Sequence, residues 1–270
     1  GGGRPYTVNG TNWTNYIDAS GQATMKAIVE GANIFFTSGA RENLQKNGVL
    51  IIKDSSANKT GVISSSYEII ASLAVSGEEF RMIKETYVSQ VIDILRQKAD
   101  AEAKLLLRYY RQYRGAKTLV DLSMEVSREI NDVTDCLLEE LGKRKDEVLA
   151  MPMFQDIIYR HCPKILIEKF KDRILERLPE AHQIAIISAF IASYIVYREG
   201  LGWLHSIPEQ QRYKMARWYM QNDLQANTLI DSVLASDISD KDKIASILAK
   251  SAARNLSMNE YEEQNDSEES

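Results

Sequence analysis

The 270 residues allow one large domain or two of ordinary size, at roughly 150 residues per domain. Hydrophobic residues make up 44% and charged residues 26% of the chain, the balance of an ordinary globular protein, which excludes collagen-like, disordered and disulfide-stapled designs. The formal net charge is −5, but Ser257 to Ser270 alone carries six acids and no base, so the body is about +1 and the segment 257–270 reads as a disordered acidic tail.

Only Cys136 and Cys162 are present, too few for a secreted disulfide framework and without metal-ligand spacing, so a reducing compartment fits. The start, Gly-Gly-Gly-Arg-Pro, has no basic segment followed by an apolar one, and a cytoplasmic location is expected. Asn9, Asn12, Asn58 and Asn255 each open an Asn-x-Ser/Thr triplet, which on that expectation arises by chance.

Ten of the 14 glycines lie at or before Gly77, and this change of composition predicts a boundary there. On its N-terminal side, the β-branched runs Ala27 to Glu30 and Val49 to Lys53 flank a polar helical segment, Ser38 to Asn47. That rhythm predicts a parallel sheet with crossover helices. Each strand feeds a loop, Gly31-Ala32-Asn33 after the first and Asp54 to Val62 after the second. In open α/β sheets ligands bind outside the carboxyl ends of the strands, so both loops would meet at one rim. Their glycines permit close backbone approach, and Asn33 and Asn58 offer both a donor and an acceptor to ribose or amide groups. The same residues equally make ordinary turns. Ser64-Ser65-Ser66, just ahead of Tyr67, reads as the cap of a new helix or as an anion holder at its N-terminus.

Beyond Gly77 the apolar residues fall at helical spacing. Phe80, Ile83, Tyr87, Val91, Ile94 and Lys98 trace one face of a long helix running toward Gly115, a stripe that is apolar up to its last member. Leu122, Val126, Ile130, Val133, Leu137 and Leu141 trace a second. Between the two helices, Arg108 to Lys117 interleaves bases with aromatics, but the bases spread around half a helix, which suits a solvated or subunit-facing helix end better than a nucleic-acid surface. Pro152, Pro163, Pro179 and Pro208 then suit the first turns of further helices, about six in all after Gly77. The apolar run Ile184 to Tyr197 spans 14 residues against the roughly 20 of a membrane helix and reads as buried. His161, His182 and His205 lack metal-site spacing. Cys162 reads as a buried thiol, and Trp203, Trp218, Tyr219, Tyr213 and Met215 read as core.

Several motifs in order carry a resemblance: Val29-Glu-Gly-Ala-Asn33 followed by Thr37, Ala40-Arg41, Gly48-Val49, and Lys53 to Glu68 with Asn58, Gly61, Val62 and Ser65. Together they resemble the glutamate dehydrogenases, and Gly2 to Pro5 with Val8-Asn9 and Asn12-Trp13 is similar to their large-subunit, NAD-specific branch. Thr60 stands where the family more often has a glycine. The resemblance is specific over residues 1–76 and looser over 77–256.

It implies oxidative deamination of L-glutamate to 2-oxoglutarate and ammonia with NAD as cofactor, in a homo-oligomer. It further implies Asn33 and Asn58 near the nicotinamide and ribose, and Ser65 on the distal carboxylate of the substrate. No Gly-x-Gly-x-x-Gly follows a predicted strand, and no catalytic lysine and aspartate of the family are matched, so no residue is assigned to catalysis or metal. The expected fold is mainly α with a small α/β part: residues 1–76 as the C-terminal remainder of a Rossmann-like coenzyme domain, 77–256 as a helical region, and 257–270 as the tail. The competing reading is a non-catalytic helical interaction module that retains a dehydrogenase remnant.

Overall fold

The two β-branched runs pair as expected: Ala27–Val29 (β1) and Leu50–Ile52 (β2) are parallel, with Val29 opposite Ile52. Parallel strands need a crossover, which contains α1 (Ser38–Lys46), whose N-cap Thr37 accepts from the Ala40 amide at 3.3 Å. The helix stops at Asn47, and Gly48 takes a left-handed φ of 82° that an L side chain resists, turning the chain into β2. Leu44 and Ala40 of α1 bury against Ile51, Val49, Phe36 and Val8, with Trp13 and Ile28 packed around them.

The computed structural model describes residues 3–268; it is mainly helical, with this two-stranded sheet as the sheet among the described residues. After β2 come α2 (Asp54–Ala57), α3 (Lys59–Ala74), α4 (Gly77–Gln112), α5 (Leu119–Lys143), α6 (Lys145–Ala150), α7 (Pro152–His161), α8 (Lys164–Arg177), α9 (Glu180–Glu199), α10 (Glu209–Ala235) and α11 (Lys241–Glu268). From Gly77 on this gives eight α-helices among the described residues, against the six expected. The additional ones are short or lie where no proline marks the start. Pro152 opens α7, while Pro163, Pro179 and Pro208 stand one position ahead of α8, α9 and α10.

The chain divides into two compact units, though not at Gly77. The first runs to Arg128 and takes in residues 162–178; the second comprises 129–161 and the chain from Pro179 onward. Gly77 does begin a helix: Ser76 caps α4 through the Glu79 amide, and the Glu79 carboxylate accepts from the Ser76 amide, a reciprocal box. But α4 folds back on α3, which keeps it in the first unit. Buried Tyr87 donates its hydroxyl to the Tyr67 carbonyl at 2.6 Å. Helix α8 closes this group, with Arg173 on Glu79 at 2.6 Å, Arg177 on the Ala74 carbonyl, and the Ile165 amide on Gln90. Cys162, at the head of this return, is 6% exposed, and burial pushes its thiol up to about 12.

In the second unit, α9 is long and apolar enough to cross a membrane by length and composition. Its Ile184, Ile187, Ile191 and Ile195 are buried against protein, with α6, α7 and α10 as neighbours. Trp203 packs on Tyr219 at 5.3 Å between ring centroids, and Met215 is fully buried.

The acidic end departs from expectation. Helix α11 packs along α10 and continues to Glu268, so residues 257–268 are helical rather than disordered; 269 and 270 lie outside the described residues. Ser257 is fully buried and Asn222 donates to both Ser257 and Glu260. Polar groups on α10 thus draw the acidic segment onto the second unit, which composition alone does not reveal.

Candidate functional site

The loops leaving β1 and β2 emerge at the same end of the sheet because the strands are parallel and in register. Charged residues placed just beyond each strand bind the loops together. Glu30, directly after β1, donates its amide to the Ile52 carbonyl at 3.0 Å. Its carboxylate takes Arg41 of α1 in a bidentate pair, 2.6 Å from Nε and 2.9 Å from Nη2, with the Glu30 side chain wholly buried. Hydrogen bonding to Glu30 holds the Arg41 guanidinium above its ordinary value.

Asp54, directly after Lys53, is the second node. One oxygen accepts from the Ile34 amide at 2.6 Å in the other loop; the second accepts from Lys53 Nζ at 2.8 Å and the Ser55 amide at 2.9 Å. Arg41 Nη2 stands 3.8 Å away. Burial pushes the Asp54 carboxyl up, but the Lys53 ammonium and the two amides outweigh it and leave it below the usual carboxylate value. The Ile34 backbone that Asp54 grips has φ of 47°, a left-handed conformation a β-branched residue avoids and which costs about 1–3 kcal/mol. Its neighbour Asn33 is exposed at the tip of the loop. The turn is thus strained at Ile34, clamped by Asp54, and carries an exposed carboxamide.

On the second loop, Ser55 and Ser56 both hydrogen-bond the buried Ser123 hydroxyl, at 3.1 and 2.5 Å. This fixes α2. Asn58 joins α2 to α3: its amide donates to the Asp54 carbonyl at 2.8 Å, while its side chain does not cap α3. A Cβ on Gly61 would stand 3.2 Å from Asn58 Oδ1, so the glycine leaves room for the carboxamide.

Ser65 is placed differently from expectation. The serine triplet does not start a helix, because α3 begins at Lys59, so Ser65 lies almost two turns inside it and neither caps it nor faces its free amides. Asp54 and Ser123 let residues that favour turns enter helix, which moves the helix start forward. Ser65 Oγ is exposed and, among the described residues, reaches only the Gly61 carbonyl, at 3.5 Å, whereas Ser64 holds that carbonyl at 2.8 Å. Asn58, Gly61 and Ser65 are spaced by three and four, so they share one face of α3, with Ser65 about 10 Å along the axis from Asn58. Asn33 and Asn58 thus sit on two loops clamped together, and Ser65 extends the second along a helix.

The clamp itself, Glu30, Arg41 and Asp54, is missed as a unit by sequence reasoning. The available signal is an acid immediately after each of two β-branched runs, with an arginine on the apolar face of the helix between them. Among the described residues no group of three or more His, Cys, Asp or Glu is placed to hold a metal ion.

Residues 3–119 match the Glutamate/Leucine/Phenylalanine/Valine dehydrogenase family. Glutamate dehydrogenase 2 of Dictyostelium discoideum is 34% identical over 212 residues, 74% of this chain and 20% of the relative. The NAD-specific glutamate dehydrogenases of Saccharomyces cerevisiae and Neurospora crassa are 33% and 30% identical, again over 74% of this chain and 19% of each relative. The chain therefore spans about a fifth of the length of the curated relatives it matches. No solved structure matches it at a significant level. The clamped loops and the Asn58–Ser65 face all lie within residues 3–119, the segment that is similar to the Glutamate/Leucine/Phenylalanine/Valine dehydrogenases.

Proposed function

We propose that this chain is part of an NAD-dependent glutamate dehydrogenase, which oxidatively deaminates L-glutamate to 2-oxoglutarate and ammonia. One observation carries the reading: two strand-end loops, locked by Asp54 and the Glu30–Arg41 pair, present Asn33 and Asn58 at one rim, within a segment matching that family. The α/β portion is then the C-terminal remainder of a Rossmann-like coenzyme domain, and the helices beyond it serve assembly of a homo-oligomer.

The residues fit a dinucleotide by their chemistry. Asn33 is exposed, the Asn58 side chain is not spent on a cap, and the Gly31 backbone is open to approach. Each carboxamide would hold ribose hydroxyls or an amide through one donor and one acceptor. Bound there, NAD supplies the hydride acceptor. The exposed Ser65 hydroxyl would donate to the distal carboxylate of glutamate and fix which end of the substrate faces the coenzyme. The 270-residue chain by itself contains no Gly-x-Gly-x-x-Gly turn for the pyrophosphate, and it is expected to form no NADH.

A second reading is a helical interaction module with a dehydrogenase remnant: the family model matches only residues 3–119 and the second unit begins at Glu129, though the alignments with the relatives extend over 74% of the chain. The full-length protein decides. Asn33→Ala and Asn58→Ala should each raise KM for NAD more than KM for glutamate. Unchanged KM for NAD in both variants contradicts the placement, and no glutamate-dependent NADH formation by the full-length protein favours the module.

A further inference from the structure

Helices α3 and α4 are joined by Val75 and Ser76 alone, and between them lies a cavity of about 670 Å³. Val75, Gly77 and Phe80 stand at the turn and close one end, while Val88, Val91 and Ile92 form the α4 wall. Val88 and Ile92 remain 42% and 41% exposed, so apolar surface there is left open to water. Small-molecule sites are cavities of roughly 300–1,000 Å³ with mostly apolar walls and a few polar groups. The polar groups here come mainly from α3. Ser64, Glu68 and Ser72 all line the cavity and, spaced by four, share one face of that helix.

Their hydrogen-bonding sense is uniform. The Ser64 hydroxyl donates to the Gly61 carbonyl at 2.8 Å and the Ser72 hydroxyl to the Ile69 carbonyl at 2.8 Å, so each has only lone pairs left to offer. On the facing helix Tyr87 spends its proton on the Tyr67 carbonyl. Glu68, between the two serines, is exposed, and among the described residues no base lies within ion-pair distance of its carboxylate. No Lys, Arg or His is among the described residues that line the cavity. The adjoining hollow along α4, which shares Val88 and Ile92, carries two bases and two acids and so adds no net charge. The α3 wall thus reads acceptor, anion, acceptor. A primary ammonium, with three donors and no acceptor, complements that line, whereas an anionic ligand meets only repulsion.

We propose that the cavity between α3 and α4 binds a small apolar molecule ending in a primary ammonium, an alkyl or arylalkyl amine, with its body between Phe80, Val91 and Ile92 and its ammonium on Glu68 and a neighbouring serine. Glu68 lies seven residues before Val75, roughly 10 Å along the axis, which is the depth available to the apolar body. The closed end selects a small molecule over a partner helix, because a helix laid in a groove runs past both of its ends and the turn at Val75 and Ser76 blocks one. The site goes beyond the dehydrogenase reading and does not depend on it, since it uses none of Asn33, Asn58 and Ser65.

The test uses the 270-residue chain with its isoleucine methyls 13C-labelled, and Ile92→Leu to assign the Ile92 signal. Phenylbutylamine, phenylbutanol and phenylbutyrate share one apolar body and differ only in the head group, and each is titrated separately at matched ionic strength. The Ile92 methyl should move saturably, with the amine bound about fivefold tighter than the alcohol, the upper end for an exposed ion pair, and the acid weakest. Glu68 is exposed, so Glu68→Gln should fold normally and bring the amine down to the affinity of the alcohol, and Glu68→Lys should reverse the order of amine and acid. An Ile92 methyl that none of the three probes moves overturns the proposal, as does equal affinity for all three or a preference for the amine that survives Glu68→Gln. The ranking on the unmodified chain decides independently of any variant. Loss of the site would leave the dehydrogenase reading standing, because that reading is scored by NADH formation in the full-length protein.

Discussion

Replacing Arg41 by methionine should unfold the first unit far more readily, because it strips a buried carboxylate of its partner while keeping the aliphatic bulk. Glu30 is fully buried and receives two short hydrogen bonds from Arg41, whose side chain is itself only 9% exposed. Breaking a buried pair by deleting one partner costs about 3–5 kcal/mol, most of it the uncompensated charge left behind. The loss of the longer approach to Asp54 adds little. With a urea dependence of about 2 kcal/mol per molar, the midpoint should fall by roughly 2 M. Trp13, packed on the core that contains Ile51, reports the first unit once Trp203 and Trp218, which belong to the second, are replaced by phenylalanine. Replacing both partners, Glu30→Gln with Arg41→Met, removes the stranded charge and should cost less than Arg41→Met alone. A midpoint shift below about 0.5 M for the single variant, or a double variant worse than it, refutes the view that this pair clamps the loops.

Glu79 accepts from the Ser76 amide and is paired with Arg173, and together these bring its carboxyl down to about 2 from an ordinary 4.5. A depressed acid stabilises the fold above the unfolded value, so this contribution is present above pH 4.5 and is lost as pH falls toward 2; a measured value for Glu79 at or above 4 by NMR contradicts the cap. Cutting the chain after Leu256 removes the Ser257 and Glu260 partners of Asn222, which is only 2% exposed, and should cost the second unit about 1–3 kcal/mol. A truncated chain with an unchanged urea midpoint, followed at Trp203 and Trp218, returns the acidic segment to the status of a free tail.

Much of the fold is legible because single physical patterns dictate it. The β-branched runs give β1 and β2, and the polar segment between them is short enough to be only the crossover helix of a parallel pair. The stripe from Phe80 onward gives α4 because its faces must be buried. What composition hides is decided by contacts distant in sequence. Asp54 to Thr60 is rich in turn formers, and it becomes helix only because Asp54 is neutralised from Lys53 and the Ile34 amide, and because Ser123 anchors Ser55 and Ser56. That same displacement puts Ser65 inside α3 rather than at its cap. Helix α4 looks like the start of a new region, yet α8 ties it to α3, with Arg173 on Glu79 of α4 and Arg177 on the Ala74 carbonyl of α3, so the boundary lies near Arg128 instead. The loop positions of Asn33 and Asn58 are legible from their place after the two strands. The clamp of Glu30, Arg41 and Asp54 is not, because its three charges are eleven to 24 residues apart.

The central claim is the proposal that the exposed face beginning at Asn58 receives glutamate, and Ser65→Ala in the full-length protein tests it most directly. Losing a hydrogen bond to a charged carboxylate costs about 1.5–3 kcal/mol, a fall of roughly ten- to 150-fold in kcat/KM for glutamate. Because Ser65 is exposed and holds no cap, Tm should stay within a degree or two of wild type. A variant that retains near-normal kcat/KM for glutamate contradicts the assignment of Ser65 to the substrate.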